Sequence, residues 1–295
     1  VVPLQRRRSL DERCLGHHAV HRVDLGLPTA GADPHPDVFH ARRFTNPNLN
    51  PPGGLGSSHS TGTTVATLVT RTLVTGATGT LGTALRRRLE ATGREIRAAS
   101  RSPPDRSDDT VEWVELDLTD GTGIESALAG VDVVIHAATA PRGDTEAVDV
   151  CGTERLLATA ADTGVQNVVY PSIVGVDEIP FAYYEHKAEA ETAIADSEVP
   201  STIVRATQFH SFVAGLLDTV AKLPVWPLPR GIRLQPVGVD EVADAIAAYA
   251  TPSAAGRVEP VGGPEVLSVG ELARSYREER GLRRPIVQIP FPGET

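Results

Sequence analysis

"RTLVTGATGTLGTALRRRLEATG", residues 71–93, runs from a short β-rich segment through a glycine-rich turn into a helix-forming segment. Within it, "TGATGTLG" (Thr75 to Gly82) places Gly76, Gly79 and Gly82 at the strand-to-helix junction. Each glycine has its own task. Gly76 permits the tight turn, Gly79 lets backbone approach a pyrophosphate, and Gly82 lets the helix pack close to a sheet. The helix that follows directs its N-terminal N–H groups and the positive end of its dipole at the same point. A glycine trio alone is an ordinary turn; flanked by a strand and a helix it is a dinucleotide-binding signal, with Thr75, Thr80 and Leu81 completing the loop.

Outward from this stretch the same alternation continues. "EIRAAS" (95–100), "VEWVELDL" (111–118), "VDVVIHAA" (131–138) and "VQNVVYPS" (165–172) read as strands, and "GIESALAG" (123–130) and residues 144–163 as helices. Strands alternating with helices mean βαβ units, so the predicted fold class is α/β, a doubly wound parallel sheet covered on both faces.

Composition narrows the function classes. Twenty-eight basic residues against 38 acidic leave a net charge of −10, which argues against a nucleic-acid backbone or an anionic membrane surface as the main partner. No apolar run reaches the roughly 18 residues a membrane-spanning helix needs. The two cysteines, Cys14 and Cys151, lie in segments of different character, so neither a disulfide framework nor a four-ligand zinc site is expected, and a reducing cytoplasm is the simplest compartment.

Residues 1–68 differ in texture from the rest. Six of the nine histidines fall there, among Pro/Asn-rich and Gly-Ser clusters, without a sustained period of 2 or 3.6. They are expected to be a low-complexity extension, disordered or non-native, with the folded unit spanning 69–295 and Val69 as the natural start of translation. "RRRSL" has the arginines of a twin-arginine export signal but is followed by polar residues instead of an apolar run. Cys14, His17, His18 and His21 have metal-ligating chemistry, but no second ligand pair follows; no metal site is expected.

Taken together, "TGATGTLG", "LDLTD", "VIHAAT", "DVCGTERLLATAADTGVQNVVYPS" and "STIVRATQFHSF" resemble the atypical branch of the short-chain dehydrogenase/reductase superfamily, the NmrA-like NAD(P)-binding proteins, over roughly residues 69–290. The resemblance implies a Rossmann-like fold, Asp117 and Leu118 beside the adenine ring, and the small residues Ala137, Ala138 and Thr139 beside the nicotinamide ribose. The second predicted strand closes with Ser100 and Arg101, where an acid would select NAD. A guanidinium there can pair with a 2′-phosphate, so NADP is the expected cofactor, with NAD possible. His136 is a weaker candidate base, at a strand end.

"PFAYYEHKAEAE" (180–191) holds the candidate chemistry. The superfamily uses a Tyr-x-x-x-Lys pair with a serine on the preceding strand, and Tyr183, Lys187 and Ser172 match. Residues four apart lie about 40° apart on a helix, so the pair shares a face; Tyr184, three before the lysine, lies about 60° off on the other side. A protonated tyrosine can give its proton to a carbonyl that receives a hydride, and a nearby ammonium is expected to lower the phenol's pKa while holding the nicotinamide ribose. Lysine occurs only at Lys187 and Lys222, which singles out Lys187.

The remainder, from about residue 206, is read as a small substrate lobe. Gln208, Phe209, His210, Phe212 and Trp226 are candidates to line an apolar pocket. The chain stops at "PFPGET", where relatives in the resembling family continue into further helix. The expected function is hydride transfer between NADPH and a small carbonyl or quinone-like substrate, by a monomer or homodimer. The alternative is a non-catalytic dinucleotide-binding redox sensor, which needs the glycines but no proton donor.

Overall fold

The computed structural model describes residue 14, residues 70–104 and residues 111–290. The expectations for the remainder of residues 1–69, including the arginine run, His17, His18, His21 and the start at Val69, lie outside the described residues.

The strand expected at the head of the glycine turn is β1 (Arg71–Thr75), in which Leu73 and Val74 are fully buried. A strand buried on both faces must sit mid-sheet. Accordingly β1 pairs in parallel with β2 (Glu95–Ser100) on one side and β4 (Val133–His136) on the other. Beyond β2 lies β3 (Val111–Glu115), and beyond β4 come β5 (Asn167–Ile173), β6 (Ser201–Ala206) and the two-residue β9 (Gly256–Arg257). The order β3-β2-β1-β4-β5-β6-β9 is parallel throughout. It reverses direction between β1 and β4, the crevice where doubly wound sheets bind ligands. This is the α/β Rossmann-like architecture expected from the alternation of elements.

Two helical layers cover the sheet. On one face α1 (Thr80–Glu90) and α6 (Val239–Ala248) bury Leu85, Leu89, Val242 and Ile246 against Val74, Ile135 and Val204. On the other, α2 (Ile124–Leu128), α3 (Gly152–Thr163) and α4 (Ala182–Ala195) bury Ile124, Leu156, Ala190 and Ile194 against Leu73, Val134 and Val168. Buried polar groups are matched to the frame. Arg97, on β2, donates to the carbonyls of Ser126, Ala127 and Ala129, closing the end of α2. Asn167, fully buried, donates to the Tyr249 and Thr251 carbonyls and accepts from Thr202, tying the end of α6 to the sheet.

The helix expected over 144–163 begins instead with a π-helical stretch, Glu146–Cys151, that feeds into α3. After β6 the chain builds a separate apolar cluster. In it α5 (His210–Ala221) and α7 (Val269–Glu279) pack Leu217, Leu272 and Tyr276 around the fully buried Trp226. Trp226 opens β7 (Trp226–Pro229), which pairs with β11 (Ile286–Ile289), while β8 (Arg233–Leu234) pairs with β10 (Leu267–Ser268). Trp226 is therefore core, not the pocket lining proposed from sequence.

One expectation is corrected outright. Cys14 and Cys151 form a disulfide, and Cys14 also accepts from Arg155 through its carbonyl oxygen, 3.2 Å away. A separation of 137 residues carries no pairing signal; the fold brings the two α-carbons to 5.5 Å. The cysteine count therefore gives no argument for a reducing compartment. Among the described residues no helix is long and apolar enough to cross a membrane.

Candidate active site

The glycine turn is shaped by contacts that leave no room for side chains at two of its three positions. Gly76 has φ +62°, and a Cβ there would lie 2.7 Å from Ala138 Cα; at Gly82 it would lie 2.2 Å from the Gly76 carbonyl oxygen. Gly79 is different, since its added Cβ would meet only the Gly76 oxygen, at 3.2 Å. Its outer side is left open for a ligand's close approach. Gly79 is also the N-cap of α1, with no side-chain cap and no acid in the first turn, so the N–H groups of Thr80 and Leu81 head an uncapped helix. This cradle fits a pyrophosphate.

Around it, Arg101 follows β2 directly, is exposed, and forms no ion pair with a described residue. Asp117 Oδ1 accepts from the Thr119 N–H and hydroxyl at 2.8 and 2.7 Å, which fixes the turn after β3. Leu118 is buried in the core beneath α3, where a Cβ at Gly152 would lie 2.7 Å from its own Cβ; its side chain is thus a packing element.

At the carboxyl ends of β1 and β4 a chain of hydrogen bonds fixes the crevice wall where the nicotinamide was expected. Thr153 donates to the Asp149 carbonyl at 2.6 Å, so its oxygen must accept from His136 Nε2, 3.0 Å away. His136 Nδ1 then accepts from Thr75, at 2.9 Å, and the Thr75 oxygen accepts from the Ala138 N–H. Burial, helped by the Lys187 charge, pushes the His136 pKa down to about 3. His136 is therefore a neutral scaffold residue, and its candidacy as a base falls.

The candidate reaction residues lie on β5 and α4. Tyr183 and Lys187 share a face of α4; the Tyr183 hydroxyl is 3.0 Å from the Thr139 oxygen, and Lys187 is buried. Lys187 Nζ donates to the Pro171 carbonyl at 3.0 Å, sits 4.0 Å over the Tyr170 ring and lies 3.9 Å from Asp149. Ser172, next to Pro171 on β5, is buried with no hydrogen-bond partner for its hydroxyl. Such an atom is costly unless something binds it. Tyr184 packs its ring against Phe181 and Tyr183.

The electrostatics depart from the sequence expectation in one respect. Burial, with the Asp149 and Tyr184 charges adding to it, raises the Tyr183 pKa to about 12, although the Thr139 hydrogen bond pulls the other way. Lys187 does not lower it. Lys187, itself lowered by burial, gives up its proton before the phenol ionises; beside it, 1% exposed on the π-helical stretch, stands the residue that sequence reasoning missed, Asp149. Burial lowers the Lys187 pKa to about 8, against the supporting charges of Asp149 and Glu191. The available signal was a lone acid inside the apolar run "AVDVC" (147–151). π-Helical turns are themselves frequent at functional sites.

Comparison with known proteins bears on the family and the fold. A protein-family model described as NAD(P)H-binding matches residues 76–225. An uncharacterized protein of Mycobacterium tuberculosis is 30% identical over 75% of this chain, which spans 24% of that relative's length. A Streptomyces griseus (4-alkanoyl-5-oxo-2,5-dihydrofuran-3-yl)methyl phosphate reductase is 32% identical over 72% of this chain and 74% of the relative. Among solved structures, the Thermus thermophilus UDP-glucose 4-epimerase complex with NAD matches with a TM-score of 0.62 and 22% identity, over 76% of this chain and 88% of the other, a likeness of fold.

Proposed function

The chain belongs to the NAD(P)H-binding family, in the atypical short-chain dehydrogenase/reductase superfamily, and from that premise we propose that it is an NADP-dependent oxidoreductase reducing a small carbonyl or quinone-like compound. The observation that carries this reading is the Tyr183 hydroxyl held at Thr139, at the nicotinamide end of the crevice, on the same helix face as a buried lysine. A sensor has no use for such a proton donor.

In this reading the backbone of Gly76, Gly79, Thr80, Leu81 and Gly82 holds the pyrophosphate, with Thr75 shaping the turn. Arg101 pairs with the 2′-phosphate, and Asp117 and Leu118 border the adenine through the turn they form. Ala137, Ala138 and Thr139 border the nicotinamide ribose, which Lys187 also binds. The bound cofactor supplies the hydride. Ser172 donates to the substrate oxygen, which satisfies its buried hydroxyl, and Tyr183 gives that oxygen its proton. The tyrosine is a strong proton holder at rest, at about 12, so it releases its proton only to an oxygen made basic by hydride arrival. The reductase named among the relatives supports reduction as the direction.

A cofactor-oxidation screen over aldehydes, ketones and quinones tests this. A compound that is turned over should lose roughly 10²- to 10⁴-fold in rate with Tyr183→Phe, with NADPH affinity retained, while Tyr184→Phe changes little. No turnover of any class, with tight NADPH binding intact, would replace the enzyme by the redox sensor.

A further inference from the structure

Asp149 is a buried carboxylate that the proposed chemistry leaves without a task. Its Oδ1 accepts from the Thr139 hydroxyl at 2.6 Å and its Oδ2 from the Ala140 N–H at 3.0 Å. Thr139 has one proton, and a carboxylate can only accept, so that proton points at Asp149. The 3.0 Å contact between Thr139 and Tyr183 must then be donated by the phenol. The direction of the whole chain, Tyr183 to Thr139 to Asp149, is dictated at its far end.

We propose that Asp149 is a positioning residue which, through the rotating hydroxyl of Thr139, holds Tyr183 as a hydrogen-bond donor at rest and releases Thr139 to stabilise the phenolate during turnover. This rests on the reading of Tyr183 as the acid. The step balances as follows. A hydride adds to the carbonyl carbon, the C=O π pair moves to oxygen, and that oxygen takes the Tyr183 proton. The phenolate left behind needs a donor, and the Thr139 O–H turns from Asp149 to supply it. No proton travels along the chain, and the Asp149 carboxylate stays beside Lys187, 3.9 Å away. A proton from solvent then restores Tyr183. The other titratable groups around this chain are Tyr184 and Glu191 on α4, Tyr170 on β5 and His136 on β4.

The test needs neither cofactor nor substrate. Tyrosine ring-carbon resonances of the full chain are followed against pH, with the Tyr183 signal identified by its loss in Tyr183→Phe. Asp149→Asn should lower the Tyr183 midpoint by about one pH unit or more, because a like charge is gone and the amide can donate to Thr139. Adding Thr139→Val to Asp149→Asn should raise the midpoint again, and adding Thr139→Ser should leave it low. General loosening of the site cannot produce that reversal, since exposure moves every variant toward the ordinary value of about 10. An unmoved midpoint in Asp149→Asn overturns the proposal, as does a Thr139→Val addition without effect. Should Asp149→Asn fold poorly, Thr139→Val against Thr139→Ser in the otherwise unaltered chain must still differ, with valine giving the higher midpoint; equal midpoints overturn the proposal. Full turnover in Tyr183→Phe, with the shifts as expected, would fail the acid reading alone.

Discussion

Arg101 is the single residue on which the proposed preference for NADP rests. It stands exposed just past β2, no carboxylate among the described residues pairs with it, and in the proposed reading its planar fork of donors takes the 2′-phosphate. Arg101→Asp should reverse the dinucleotide preference, because a carboxylate repels the 2′-phosphate and accepts ribose hydroxyls instead. Fluorescence titration with NADPH and NADH measures it; tighter NADH binding by the unaltered chain would end the assignment. Tyr183 and Tyr184 make the complementary point. Adjacent in sequence, they are separated by what their atoms meet: one hydroxyl reaches Thr139, while the other ring meets Phe181 at a tilt and Tyr183 edge-on.

At the scale of elements, the turn between β1 and α1 divides its glycines into two kinds. Gly82 is a packing position, where an added Cβ would collide with fixed backbone at 2.2 Å, whereas at Gly79 the nearest atom is 3.2 Å away. Gly82→Ala should therefore lower the melting temperature sharply, as overpacking against backbone does, at a cost of about 1–3 kcal/mol or more. Gly79→Ala should leave the melting temperature of the unliganded protein nearly unchanged and weaken dinucleotide binding. Calorimetry of both variants with and without NADPH separates the two roles. Equal loss of stability in both would contradict it. The π-helical stretch before α3 is the other element that matters, because it carries Asp149 to the Thr139 hydroxyl.

For the molecule as a whole, the buried polar chain beneath the crevice links folding to pH. His136 is held neutral with a pKa near 3, against about 6.5 in an unfolded chain. Between those values the unfolded chain binds a proton that the folded one refuses. Stability is then complete above about pH 6.5 and falls as pH drops toward 3, by several kcal/mol in all. Lys187, lowered to about 8 from 10.5, makes its own contribution in an alkaline window that does not overlap. Denaturant unfolding at a series of pH values should show this acid loss, and His136→Asn should flatten it. An equally steep decline in that variant would assign the acid sensitivity to other groups.

The sequence by itself determined the strand-turn-helix of residues 71–93, the parallel α/β order and the helix that carries Tyr183 and Lys187. Those are local signals, set by propensity, by glycine spacing and by residues one helical turn apart. What only the tertiary structure decided involves residues far apart in the chain. Cys14 meets Cys151 because the fold brings them together, and Trp226, offered as pocket lining, is fully buried core. Asp149 reaches Lys187 and Thr139 from a separate element, and burial of both the phenol and the lysine overrides the influence that Tyr-x-x-x-Lys spacing implied for the lysine on the phenol. Spacing places side chains on a face, but the charge a side chain feels depends on every group brought within a few ångströms of it and on the burial they share.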